Sequence, residues 1–127
     1  MGTKAMITLF DRDNKLMSIV TQFDGNPEVV LSEIIKHHTS MKENHTAFLH
    51  DPEVFAAQFL AGMVADRGTA VYVVPNTLAG AVNWTYDLRN DGNGWVVTGR
   101  PAGSNGEGNS LEEIPVTELA EWMADYL

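Results

Sequence analysis

The chain of 127 residues contains no cysteine, and that absence excludes several kinds of chemistry. Disulfide bridges, thiolate zinc sites and cysteine nucleophiles all require the thiol side chain. A chain of this length buries about two-thirds of its unfolded surface, so it can fold without such cross-links. We therefore expect a single domain, residues 1–127, held together by a hydrophobic core.

Basic residues are scarce: eight Lys and Arg stand against seventeen Asp and Glu, which gives a net charge of −9. Nucleic acids and anionic membranes attract positive surfaces, so this balance argues against direct binding to either. The sequence also lacks the run of ~20 apolar residues that a membrane-spanning helix needs. Because the chain reaches Asp11 without a signal-peptide core, we expect a cytoplasmic protein.

The pattern of apolar residues and turn residues predicts five strands and three helices. Strands are predicted over residues 5–10, 16–23, 70–75, 82–88 and 95–99, and helices over 27–38, over 52–66 and from Thr117 onward. A polar loop is predicted over 101–109. The order β-β-α-α-β-β-β-α contains no repeated β-α-β unit and indicates an α+β fold. Its sheet is expected to be largely antiparallel and covered by helices.

The predicted helix over residues 52–66 is apolar around most of its circumference, with Gln58 as its one strongly polar interior residue. A helix with this pattern is normally buried, so we expect it to be the most buried helix of the domain. Two arrangements satisfy the pattern. The helix is sandwiched inside the domain, or its spare face packs on a second copy of the chain, which predicts a homodimer.

Three aromatic residues on the predicted strands, Trp84, Tyr86 and Trp95, allow two interpretations. Exposed, they would form a platform on which bases or a nucleotide ring stack. Since Val82, Leu88 and Val97 share their faces, we favour a buried aromatic layer.

Four histidines fall in one short window that also holds three acids: His37, His38, His45 and His50, with Glu43, Asp51 and Glu53. Imidazole and carboxylate groups together suit zinc or another divalent first-row metal ion. No His-Glu-x-x-His arrangement is present, and no two of the histidines are one helical turn apart. We therefore predict no metal and no cofactor, and a His-ligated, metal-dependent enzyme is left as an alternative.

Other catalytic signatures are weak. The serines include no Gly-x-Ser-x-Gly elbow, and the glycine-rich stretch 103–108 lacks the lysine of a phosphate-binding loop. We therefore expect no enzymatic activity.

Acidic residues dominate the end of the chain: after Arg100 there are six acids and no base. In the last predicted helix, Leu119, Trp122, Met123 and Tyr126 form one apolar stripe, which leaves the acids exposed. They act either as a solubilising coat or as a docking surface for a basic protein partner. The residues expected on that surface are Glu112, Glu113, Glu118, Glu121 and Asp125.

The junction before the first helix offers an alternative binding site for a small ligand or a nucleotide. Gln22, Asp24, Gly25 and Asn26 precede Pro27, and backbone amides at a helix start can bind an anion. Asp24 argues against an anion there, since its own carboxylate can occupy those amides.

Several motifs spread over most of residues 1–88 resemble those of a known family, and the most specific of them is the run over residues 22–27. Met1-Gly2-Thr3-Lys4, two strands, and the run Gln-Phe-Asp-Gly-Asn-Pro over residues 22–27 resemble small uncharacterised proteins of tailed phages, prophages and some bacteria. Those proteins begin Met-Gly-Thr-(Arg or Lys), and their second strand ends in Gln-(Tyr or Phe)-Asp-Gly-Tyr-Pro. Residues 56–59 (Ala-Ala-Gln-Phe) and 72–75 (Tyr-Val-Val-Pro) match two further motifs. This chain departs from the family at Asn26, where Tyr is usual, and lacks the glycine-rich stretch that follows the proline.

The resemblance implies a phage-like accessory protein acting in the cytoplasm of a bacterial host. Small acidic accessory proteins of phages often inhibit bacterial defence systems such as CRISPR. The implied function is a non-enzymatic protein-binding module whose basic partner is a nucleic-acid-binding defence protein.

Overall fold

The computed structural model describes residues 3–75, 82–102 and 110–127, and it confirms an α+β fold. The strands are β1 Ala5–Asp11, β2 Asn14–Thr21, β3 Val71–Val74, β4 Trp84–Asn90, β5 Trp95–Pro101 and β6 Leu111–Pro115. The helices are α1 Pro27–Asn44, α2 Pro52–Arg67 and α3 Leu119–Tyr126. Among these described residues, no helix has both the length and the apolar character needed to cross a bilayer. Most of the predicted loop 101–109, with Glu107, lies outside the described residues.

The sheet has the strand order β3-β2-β1-β4-β5-β6 and is largely antiparallel, as predicted. Only the central pair, β1 with β4, is parallel among the described strands. One buried row shows how the strands align: Ile7 lies opposite Ile19 on one side and Tyr86 on the other. Gly99 extends the row on β5, where a Cβ would come within 3.0 Å of the Tyr86 ring. The missing side chain therefore makes room for the tyrosine.

The helices bury their apolar residues in one core on this face of the sheet. The α1 contribution centres on Val30, Leu31 and Ile34, and that of α2 on Phe55 and Phe59. Phe55 stacks on Trp95 with ring centroids 4.3 Å apart. Trp84, Tyr86 and Trp95 are all buried, which confirms the aromatic layer and excludes the stacking platform.

The largest differences from the sequence prediction are the end of α1 and the strand β6. Helix α1 continues to Asn44 rather than ending at residue 38, because Met41 lies one turn after His38 and extends the buried stripe. Strand β6 was not predicted at all. It is only five residues long, and its two consecutive exposed acids hide the alternation that marks a strand.

The expectation that α2 is the most buried helix is wrong, since α1 buries six residues and α2 only four. The outer side of α2 exposes a stripe of small apolar residues, Ala57, Ala61, Val64 and Ala65, so this helix is not sandwiched inside the domain. The spacing of these residues, four and then three or four apart, places them on one face. The homodimer stays a prediction.

Candidate functional site

The turn between β2 and α1, which contains the family-like motif, is a tightly packed junction. The Gly25 amide donates to the Thr3 carbonyl at 2.8 Å, and the Gly25 carbonyl accepts a 2.7 Å hydrogen bond from the buried Tyr86 hydroxyl. A Cβ at Gly25 would lie 2.6 Å from the Cβ of Ala5. Glycine is required here because the first strand passes too close for any side chain.

Arg67, at the end of α2, holds the same turn from the other side. Its Nη1 donates to the Thr21 hydroxyl at 2.8 Å and to the carbonyls of Phe23 and Asp24 at 3.0 and 3.1 Å. Asp24 adopts a φ of 56°. These contacts give the motif a structural role in joining the sheet to both helices.

The predicted ligand-binding residues Gln22, Asp24, Gly25 and Asn26 therefore lie together, but several of their backbone groups are hydrogen-bonded within the protein. The Gln22 amide donates to Ala70, and the Asn26 side chain donates to Glu28 rather than capping α1. Binding of a small ligand at this turn stays a prediction, and the contacts described here do not require a ligand.

The acids at the C-terminal helix form one exposed stripe: Glu118 is the N-cap residue of α3, and Glu121 and Asp125 lie within the helix. Glu118, Glu121 and Asp125 are spaced three and four apart, so they lie on one side of the helix. On another side, Leu119 is fully buried. Next to the acids, Tyr126 is 58% exposed and stacks on the half-buried Trp122, with ring centroids 5.2 Å apart. Helix α3 thus presents negative charge beside an aromatic pair.

Glu112 and Glu113 lie on the strand β6 rather than on α3. Both stand opposite Thr98 in a bulge, where Glu113 has a φ of 47° and its amide donates to the Thr98 hydroxyl at 3.2 Å. Glu112 accepts hydrogen bonds from the exposed Arg100 at 3.1 and 3.3 Å. Charges and a bulge on an edge strand prevent pairing with another chain. Protection of this edge strand is sufficient to account for Glu112 and Glu113, and a binding partner is not required.

The four histidines divide between two clefts. His38 and His50 line a cleft of about 330 Å³ beside the β4–β5 turn, while His37 and His45 line one of about 310 Å³ between α1 and α2. The three acids named with them, Glu43, Asp51 and Glu53, are exposed. The structure therefore does not assemble the cluster that the sequence suggested.

The cleft beside the β4–β5 turn is lined by charges of both signs, Lys42 and Asp91. Lys42 and His50 flank the buried His38, and Leu49 and Trp95 supply apolar surface. The Trp95 indole donates to the Leu49 carbonyl at 3.0 Å, which fixes this side of the cleft. Burial lowers the pKa of His38, and the nearby Lys42 and His50 lower it further.

A different group of donors meets where α1 packs on α2. Within the parts of the chain that the structure describes, Glu33, His37 and Asp66 are the one set of three donors close enough to share a metal ion. His37 Nε2 lies 3.0 Å from Glu33 Oε2 and 3.5 Å from Asp66 Oδ2. Lys36 Nζ donates to the same Asp66 oxygen at 2.9 Å, and this hydrogen bond lowers the pKa of Asp66.

The His37 ring packs into the space left by the missing side chain of Gly62. A Cβ at Gly62 would lie 2.3 Å from His37 Cε1, and Phe59 meets the ring edge-on with centroids 5.6 Å apart. The spacing of Glu33 and His37, one helical turn, was a signal in the sequence that we did not use. Asp66 carried no such signal, because only the packing of the two helices brings it there.

Comparisons with protein-family models, curated proteins and solved structures found no match to this chain. Its function is therefore argued from its own residues.

Proposed function

We propose that this protein is a non-enzymatic binding module that docks a basic protein partner through α3. The observation that carries the proposal is the acidic stripe of Glu118, Glu121 and Asp125 beside the exposed Tyr126, which stacks on the half-buried Trp122. Exposed charges speed and orient the encounter with a partner, while aromatic anchors supply most of the affinity. Helix α3 carries both components side by side.

Helix stability alone explains only part of this stripe. Glu118 and Glu121 lie at the start of α3, where negative charge is favourable to the helix dipole. Asp125 lies in the last turn, where negative charge is unfavourable. Tyr126 also exposes more than half of its surface. A binding surface accounts for these two residues, and a solubilising coat does not require the tyrosine.

The partner class follows from charge and from the resemblance to phage proteins. A chain with a net charge of −9 attracts proteins whose basic surfaces normally face nucleic acid. We propose a nucleic-acid-binding protein of a bacterial defence system as the partner, and its inhibition as the result. In this proposal Glu112 and Glu113 on β6 contribute only to the overall negative charge that attracts the partner at long range.

The test is a charge reversal with a matched control. The double variant Glu118→Lys/Glu121→Lys is compared with Glu43→Lys/Glu53→Lys, which changes the net charge equally at exposed acids on α1 and α2. Basic, nucleic-acid-binding proteins captured from bacterial lysate are purified and their association rates are measured at two salt concentrations. We expect at least a tenfold slower association for the α3 variant and a small change for the control. Equal losses in both variants, or no loss, would refute the proposal.

A second candidate function, binding of a small anionic ligand, is favoured by the cleft lined by His38, Lys42 and His50. Lys42 beside the apolar surface of Leu49 and Trp95 suits a ligand with a negative group and a planar body, and Asp91 on the same cleft opposes it. Thermal unfolding in the presence of nucleotides or inorganic phosphate tests it. A ligand of this site should raise the melting temperature of the wild-type protein and not that of Lys42→Met/His50→Ala.

A further inference from the structure

We propose that Glu33, His37 and Asp66 bind a divalent first-row transition metal ion, with zinc as the probe. The donors come from two helices, with Glu33 and His37 on α1 and Asp66 on α2. A bound ion would tie the two helices together. This inference does not depend on the function proposed for α3.

The distances fit a small ion with little movement. Zinc binds imidazole nitrogen and carboxylate oxygen at about 2.0–2.2 Å, so tetrahedral geometry places its donors about 3.3 Å from one another. His37 Nε2 lies 3.0 Å from the Glu33 oxygen and 3.5 Å from the Asp66 oxygen. All three donor atoms lie within 4.8 Å of one another.

The donor set also matches in charge and chemical type. One imidazole and two carboxylates suit first-row divalent ions, and the two negative charges neutralise the ion. Carboxylates only accept hydrogen bonds, so in the metal-free protein Nε2 carries the proton that points at Glu33. On binding, the ion occupies Nε2, and the neutral ring changes tautomer so that its single proton moves to Nδ1.

A second observation is the way in which the protein holds the ring. The Gly62 backbone and the Phe59 edge fix the imidazole between the helices, and the side chains of His37 and Glu33 are only 13% and 15% exposed. An exposed ion pair needs no such seat. Here the ring is held with Nε2 directed at two carboxylates before any ion arrives, which lowers the entropy cost of binding.

Two basic residues, Lys36 and Arg67, contact the carboxylates of this cluster. Arg67 Nη2 approaches the other Glu33 oxygen, Oε1, at 3.9 Å, so it leaves Oε2 available. Lys36 Nζ competes directly, because it occupies Asp66 Oδ2. The Lys36 side chain is 61% exposed, so it can move into water when an ion binds. Removing Lys36 should therefore strengthen metal binding.

The experiment is a zinc titration of the protein after dialysis against a chelator, followed by calorimetry. We expect one zinc ion per chain in the wild-type protein. Asp66→Asn should weaken binding by at least tenfold, and Lys36→Met should tighten it several-fold. The control Glu43→Gln/His45→Asn changes an exposed acid and an exposed histidine nearby and should leave the affinity unchanged.

Asp66 and Lys36 lie on the surface, so both variants should fold, and circular dichroism checks this. Zinc should also raise the melting temperature of the wild-type protein and of Lys36→Met more than that of Asp66→Asn. A wild-type dissociation constant weaker than about 100 µM overturns the proposal. Equal affinities of the wild-type protein and Asp66→Asn overturn it as well.

Discussion

Gly25 illustrates how backbone packing can account for a glycine at a turn without a ligand. Its amide, its carbonyl and the space where a Cβ would stand are all occupied by β1 and by Tyr86. Asn26, where the resembling family has Tyr, makes no capping hydrogen bond. The structure therefore explains why a glycine is needed at position 25.

The first prediction follows from that packing. Gly25→Ala brings a Cβ within 3.0 Å of backbone atoms of Thr3 and Ala5, which cannot move as a side chain can. We expect the free energy of unfolding to fall by about 1–3 kcal/mol, as for other overpacked positions. Asn26→Ala serves as the control and should change it by under about 0.5 kcal/mol. Urea unfolding measures both, and similar values for the two variants would contradict this account.

Asp87 supports a pH-dependent prediction at the same scale. It lies on the face of the sheet opposite to the core, between Thr8 and Thr98, and burial raises its pKa despite the nearby Arg89 and Arg100. A carboxyl group whose folded pKa exceeds its unfolded value destabilises the protein when it is ionised. We therefore expect Asp87→Asn to raise the free energy of unfolding at pH 7, by less than about 1 kcal/mol.

The direction of the pKa shift of Asp87 determines how the stability gain of Asp87→Asn depends on pH. As pH falls through the raised pKa toward the usual value of 3.8, the wild-type carboxyl takes up its proton and the advantage of the variant disappears. Denaturant unfolding between pH 7 and pH 4 measures the difference, with Asp11→Asn as a control of equal charge change. An advantage that grows on acidification would contradict the assignment.

At the scale of elements, the sequence predicted those strands and helices whose pattern is unbroken. The alternation from Trp84 to Leu88 identified β4, and the capping acid and proline at Asp51 and Pro52 identified the start of α2. It missed β6, because the bulge at Glu112 and Glu113 turns two successive residues outward. A regular alternation of apolar and polar residues identifies a strand, and a bulge interrupts that alternation.

The same limit applies to sites. Glu33 and His37 show their relation within one helix, but Asp66 is 29 residues away from His37 and joins them only through helix packing. The acidic stripe, by contrast, lies in one short stretch of chain, α3 and its N-cap residue, and its spacing was sufficient to predict that Glu118, Glu121 and Asp125 share a side.

Helix α3 gives a prediction in which a smaller residue matters more than a larger one. The apolar stripe predicted there is graded: Leu119 is fully buried, Trp122 is partly buried and Tyr126 is exposed. We expect Leu119→Ala to lower the free energy of unfolding by about 2–5 kcal/mol. Trp122→Ala should lower the free energy of unfolding by less than Leu119→Ala, because the Trp122 ring is not enclosed by the core. Thermal or urea unfolding of both variants checks the order, and the reverse order would show that the tryptophan is part of the core.

At the scale of the whole molecule, charge is unevenly distributed along the chain. Residues 1–100 carry eleven acids and all eight bases, whereas the remainder carries six acids and no base. Two kinds of association therefore respond to salt in opposite ways. Binding of a basic partner to α3 is attractive at long range and weakens as salt rises, while two copies of a chain with a charge of −9 repel each other.

That contrast tests the predicted homodimer. The exposed stripe of Ala57, Ala61, Val64 and Ala65 on α2 is the surface on which a second copy would pack. Apolar contact draws the copies together against their charge repulsion, which acts over about 8 Å at physiological ionic strength and less in higher salt. We expect a weak dimer whose fraction rises with salt and falls in Val64→Asp, measured by light scattering at two protein concentrations. A mass that stays near 13.9 kDa at every salt concentration would leave α2 with a solvent-facing stripe and α3 as the association surface.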